Sequence, residues 1–90
     1  MDERKEEFLN AMLGNIIGKQ IRKSRIKWDL TQEQAAELIG CSTEHLGRME
    51  RGEQVPKGLM LSLIQLKLQV SAEDYLRELN DVLIKYEQNN

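Results

Sequence analysis

The segment Thr43 to Arg51, TEHLGRMER, has the spacing of a short helix that is polar on one side. Leu46 and Met49 lie three apart and share one face. Thr43, Glu44 and Arg48 fall on the other, with His45 and Gly47 at its margins. These side chains can donate and accept hydrogen bonds but form no acid–base pair. The chain has one His and one Cys, too few for a zinc set. His45 and Cys41 make no credible catalytic pair, and no Gly-rich phosphate loop is present. The carboxylates are scattered along helices. The chemistry on offer is recognition, and the expectation is a non-enzyme with no cofactor and no metal.

Such a helix needs bracing. The preceding stretch, Thr31 to Ser42, reads as a second short helix and a tight turn. Thr31 is a good N-cap, and Gln34 three residues later completes a capping box. The helix then runs Gln32 to Ile39, and Gly40 tolerates the left-handed conformation that ends many helices. Ser42 can cap the second helix, and Gly52 stops it. Ala35, Ala36, Ile39, Cys41, Leu46 and Met49 are what two such helices must bury to cross closely. A rigid polar helix braced by another is how a protein reads a DNA major groove. An αα-hairpin in an ordinary helical domain is the plainer reading.

The stretch resembles the helix-turn-helix of the Cro and phage-repressor family of bacterial DNA-binding proteins. The matching residues are Thr31-Gln32, Ala35-Ala36, Ile39-Gly40, Cys41-Ser42, Leu46 and Met49-Glu50-Arg51-Gly52, and the resemblance extends from about Ile17 to Leu76. It implies an all-α, five-helix domain. It also implies that Thr43, Glu44 and Arg48 take the places of base-reading residues. Arginine can pair with guanine through two hydrogen bonds, a carboxylate can accept from cytosine N4, and a threonine can touch a thymine methyl. Gln32 and Ser42 take phosphate-contacting places at helix N-termini, which favour anions; Lys19 and Lys23 are further phosphate candidates. An ion pair between Arg25 and Glu50, structural in role, is implied by the same resemblance. Gly47, inside the recognition helix, departs from the family pattern, as does Gln69, which stands where the family often has glycine.

Ninety residues make one domain with a modest core, aliphatic because aromatics are only 4% of the chain. One cysteine allows no internal disulfide and fits a reducing cytoplasm. The first ten residues are charged, unlike a signal peptide, and no run approaches the length of a membrane span. The net charge of −2 argues against nucleic acid, but its distribution matters more than its sum. Residues 11–30 hold Lys19, Arg22, Lys23, Arg25 and Lys27 against Asp29 alone, while both ends of the chain are acidic.

The remaining segments set the architecture. Phe8, Leu9, Met12, Leu13, Ile16, Ile17 and Ile21 recur at helical spacing. Gly14, Asn15 and Gly18 weaken this helix, leaving either one long helix to Lys27 or two with a break near Gly14-Asn15. The resemblance, in which the first helix begins near Ile17-Gly18, favours the break, so that an N-terminal helical extension over 2–13 is expected to precede a core of about 17–76. The first core helix, Ile17 to Trp28, points Ile21 and Ile26 inward, with Trp28 at the core or its edge. Pro56 suits the first turn of the next helix. Leu59 to Leu68 is apolar nearly all round, hence central or facing a partner. After a Ser71 cap, Ala72, Leu76, Leu79, Leu83 and Tyr86 make a two-per-heptad stripe whose C-terminal part, 77–87, extends the core.

Together these features predict a sequence-specific transcriptional regulator of double-stranded DNA, a repressor, bound as a homodimer to a two-fold operator. The terminal apolar residues either pack within one chain or meet a second copy. The expected interface is Phe8, Leu9, Met12, Leu79, Leu83 and Tyr86. The competing function is a protein-interaction module, an antitoxin or antirepressor, in which the same fold binds a protein partner.

Overall fold

Asp2 starts the first helix by accepting a hydrogen bond from the Lys5 backbone N–H, 2.8 Å. In the computed structural model, which describes residues 2–89, this helix (α1) runs without interruption over Glu3–Lys27. The break expected at Gly14-Asn15 is therefore absent. The glycines serve packing. Gly14, Ile16, Ile17, Gly18 and Ile21 are the buried residues of α1. A Cβ on Gly18 would lie 2.5 Å from the Met49 carbonyl oxygen and 2.7 Å from that of Glu50; one on Gly14 would lie 2.9 Å from the Gly52 oxygen. Two glycines four residues apart thus let α1 touch the backbone at the end of the helix over Thr43–Glu50, and this contact outweighs their weak helix propensity.

Four more helices follow among the described residues: α2 Gln32–Ile39, α3 Thr43–Glu50, α4 Gly58–Lys67 and α5 Ala72–Gln88. There is no strand among them, and the fold is all-α. The first helix ends through Asp29, which adopts φ 56°, while the Leu30 N–H donates to the Arg25 carbonyl at 3.0 Å. The core is aliphatic. Ile17, Ile21, Ile39, Leu46, Met49, Ile64 and Leu68 are its largest fully buried side chains, drawn from α1 to α4 and the residue that ends α4.

Several local expectations give way to tertiary packing. Ile26, expected inward, is 58% exposed, because Gly18, Ile21 and Arg25 already occupy the turned-in side of α1. Trp28 lies at the edge, half exposed, with the Lys27 ammonium 5.6 Å from its ring centroid. Pro56 is buried two residues before α4 rather than in its first turn. Ser71 stands at the N-cap of α5, yet its side chain makes no capping bond. The inward stripe of α5 is Ala72, Tyr75, Leu79, Val82 rather than the series through Leu76, which faces solvent. Both series are apolar at helical spacing, and the antiparallel crossing with α1 selects between them.

The extensions at the two ends meet within one chain. The Phe8 and Tyr86 rings stack at 5.1 Å between centroids, and Lys5 Nζ lies 3.6 Å from a Glu87 carboxylate oxygen. Leu9, Leu13 and Leu79 line one open cleft between α1 and α5, with Glu6 and Asn10 at its rim. Met12 is half-buried on α1, and Leu83 half-buried on α5. The second face of α4 stays open, with Leu59 and Leu66 about three-quarters exposed.

Candidate nucleic-acid interface

The recognition unit is built from its caps inward. Thr31 Oγ1 accepts from the Gln34 N–H at 3.0 Å and the Gln34 side chain accepts from the Thr31 N–H at 2.9 Å, the reciprocal capping box. Gly40 adopts φ 83°, and the N–H groups of Gly40 and Cys41 both donate to the Ala36 carbonyl at 2.9 Å. No atom approaches a Cβ built on Gly40, so this glycine serves the backbone angle and not space. Ser42 Oγ then accepts from the His45 N–H at 3.0 Å and caps α3. At the far end Gly52, at φ 77°, lets the Glu53 N–H return to the Arg48 carbonyl at 2.9 Å. Ala35, Ala36, Ile39, Leu46 and Met49 fill the crossing of α2 and α3, each 2% exposed or less.

A polar bracket fixes this unit to α1. Arg25 donates to Glu50 twice, Nε to Oε2 at 2.6 Å and Nη2 to Oε1 at 3.1 Å. Its remaining terminal nitrogen, Nη1, donates to the Leu30 carbonyl at 3.0 Å. Gln32 Nε2 donates to Glu50 Oε1 at 3.1 Å. One carboxylate thus joins α1, the start of α2 and the end of α3. The Glu50 side chain is 6% exposed and the Arg25 side chain 16%, and the hydrogen bond to Glu50 raises the Arg25 pKa further above its usual high value.

Thr43, Glu44 and Arg48 are all exposed on α3. They converge on one side, and Arg48 Nη2 donates to Glu44 Oε1 at 2.7 Å, four residues back along the helix. Ser42 is exposed beside them, and its hydroxyl proton is not engaged by its capping role. Gln32 is half-buried with one amide N–H on Glu50, leaving the other to point away. Lys19 and Lys23 are not brought to this face. Lys19 Nζ lies 4.0 Å from Glu78 on α5, and Lys23 shares a shallow cleft with Gln69, Ser71 and Asp74.

Three residues of the region carry no sequence expectation of a reading role and yet shape the face. Arg51 Nε donates to Glu53 Oε2 at 2.5 Å, and this bond holds the Glu53 carboxyl below the usual carboxylate range. The Arg51 guanidinium folds back over Gly47, whose absent Cβ would lie 3.0 Å from Nη1. Gly47, a weak residue inside a helix, is the floor on which that guanidinium rests. The Glu44–Arg48 spacing of four announces a pair in the sequence; the Arg51–Glu53 pair depends on the turn at Gly52 and has no such signal. Cys41 is half-buried in the turn, where burial pushes its thiol pKa up. No group of three or more His, Cys, Asp or Glu residues able to hold a metal occurs among the described residues. No helix there is long and apolar enough to cross a membrane.

A family model described as helix-turn-helix matches residues 21–75, which span the last turns of α1, all of α2, α3 and α4, and the start of α5. No curated protein and no solved structure matches the chain. The family match covers more than half of the residues and includes the caps, the α2–α3 crossing and the Arg25–Glu50–Gln32 bracket, so the chain belongs to the Cro and phage-repressor-like helix-turn-helix family and has the fold of a DNA-binding transcription regulator.

Proposed function

We propose that this protein is a sequence-specific transcriptional repressor that works in the cytoplasm and binds a two-fold operator as a dimer. The observation that carries the reading is the exposed triad Thr43, Glu44 and Arg48 on a helix whose opposite face is fully buried. The α2–α3 pair is held rigidly by the Arg25–Glu50–Gln32 bracket, so base edges meet a preformed surface. In this reading Arg48 donates to a guanine, Glu44 accepts from a cytosine N4 and Thr43 touches a thymine methyl. The second amide N–H of Gln32 and the hydroxyl of Ser42 take phosphates at the two helix N-termini. Lys19 and Lys23 add positive potential from the α5 side of α1 and contact phosphate only where the duplex extends past that flank.

Selection of bound sequences from a random DNA pool tests the reading. Recovery of an inverted repeat with half-sites about one helical turn apart is the expected result. Arg48→Ala should weaken binding to that site by about 1–3 kcal/mol and relax the preference at one base pair. An unenriched pool would favour the competing reading, in which the fold serves a protein partner.

A further inference from the structure

The reading face is poor in free positive charge. Residues 31–55 carry five carboxylates, Glu33, Glu37, Glu44, Glu50 and Glu53, against two guanidiniums, Arg48 and Arg51. Glu50 is neutralised from inside by Arg25. Both guanidiniums are taken as well, Arg48 by Glu44 at 2.7 Å and Arg51 by Glu53 at 2.5 Å, with Arg51 laid across Gly47. All four of these side chains are half exposed or more, so the pairs lie on the surface that would meet a duplex.

We propose that Glu44 and Glu53 are specificity determinants that act by occupying Arg48 and Arg51, so that DNA of arbitrary sequence meets a recognition helix whose two guanidiniums are already paired. This rests on the DNA-reading function proposed for the same face. Non-specific binding is driven by cations that displace counterions from phosphate. An arginine already paired on the protein gives little of that drive, and its carboxylate repels the phosphates. At a matching site the Glu44–Arg48 pair opens into two partners: the guanidinium turns to guanine O6 and N7 while the carboxylate accepts from cytosine N4. Exposed pairs of this kind are weak, so the exchange is easy where both ends find bases. With other bases one end is left unpaired in the groove.

The test is binding to a short random-sequence duplex as a function of salt, for the full chain and for Glu44→Gln, Glu53→Gln and the double variant. Glu37→Gln is the control, since it makes the same charge change at an exposed position of α2 outside both pairs. Each freed guanidinium should add about one phosphate contact. The loss of affinity between roughly 50 and 200 mM salt then grows about threefold for each single variant and about tenfold for the double. Glu37→Gln should leave the slope unchanged, and helix content by circular dichroism should be the same throughout. If Glu44→Gln and Glu53→Gln match Glu37→Gln while the unaltered protein still selects a sequence, the occupancy idea is wrong and the DNA reading stands. If the unaltered protein selects no sequence from a random pool, both fall together.

Discussion

Arg25 grips Glu50 through two parallel hydrogen bonds, 2.6 and 3.1 Å long, across the contact between α1 and the end of α3. A fork of this geometry is the strongest side-chain pairing available to a carboxylate. Its weight shows when one partner is missing, because the other is then left charged in a largely buried place.

Glu50→Ala should therefore destabilise the domain by about 3 kcal/mol or more, since Arg25 loses the acceptor of two bonds and Gln32 loses its anchor. Glu53→Ala removes an exposed, solvent-screened partner and should leave stability nearly unchanged. Chemical denaturation of the two variants decides the matter: equal midpoints would mean that the bracket contributes nothing.

The close approach of α1 to α3 gives a second expectation. Gly→Ala inside a helix ordinarily gains about 1 kcal/mol. At Gly18 the added methyl meets the carbonyl oxygens of Met49 and Glu50, which are backbone and cannot swing aside. Gly18→Ala should lower stability by about 2 kcal/mol despite the better propensity. Gly14→Ala meets one carbonyl at 2.9 Å and should cost less. A Gly18→Ala protein that melts higher than the unaltered chain would show that the helices can separate freely.

This contact also marks where the sequence is legible and where it is not. The caps at Thr31 and Ser42, the turn at Gly40 and the stop at Gly52 each depend on neighbours within a few residues, and the helix bounds agree with them to within about one residue. Gly14 and Gly18 are different. Their role lies in a partner more than thirty residues away, so their local meaning, helix weakening, points to a break that does not exist. The i, i+4 spacing of two glycines is the one sign of close packing that the sequence offers. The α5 stripe fails for a related reason: Tyr75 and Leu76 are both apolar enough to face inward, and the crossing with α1 picks Tyr75. Thr43, Glu44 and Arg48 are legible as an exposed polar face, and the spacing of four also announces the Glu44–Arg48 pair. The Arg51–Glu53 pair, which depends on the turn at Gly52, is not legible in this way.

Cys41 links the turn to pH. Burial holds its thiol pKa above the ordinary value. The folded chain thus keeps the proton that the unfolded chain gives up first. Stability from this site is full below the unfolded pKa and falls as pH rises through the folded one. The unaltered protein should lose stability relative to Cys41→Ala between about pH 8 and pH 10. A constant difference between the two across that range would place the thiol in water.

Assembly is the last expectation. One recognition helix covers few base pairs, and a two-fold dimer places two of them about 34 Å apart on one side of the duplex. Phe8, Leu9, Tyr86 and Leu79 are engaged largely within their own chain, by the ring stack and the α1–α5 contact. The outward face of α5 is what they leave over: Leu76, 52% exposed, aligned with half-buried Leu83 and next to Ile84, 44% exposed. A rival surface exists on α4, where Leu59 and Leu66 are seven residues apart on one side. The two can be separated without truncating α5, whose last turns cover Phe8. Leu76→Glu with Ile84→Glu should give a monomer by sedimentation and weaken operator binding while half-site contacts persist. Leu59→Glu with Leu66→Glu should leave a dimer. The opposite pattern would put the two-fold axis at α4, beside the Gly52–Gly58 loop, and would free the α5 face for some other partner.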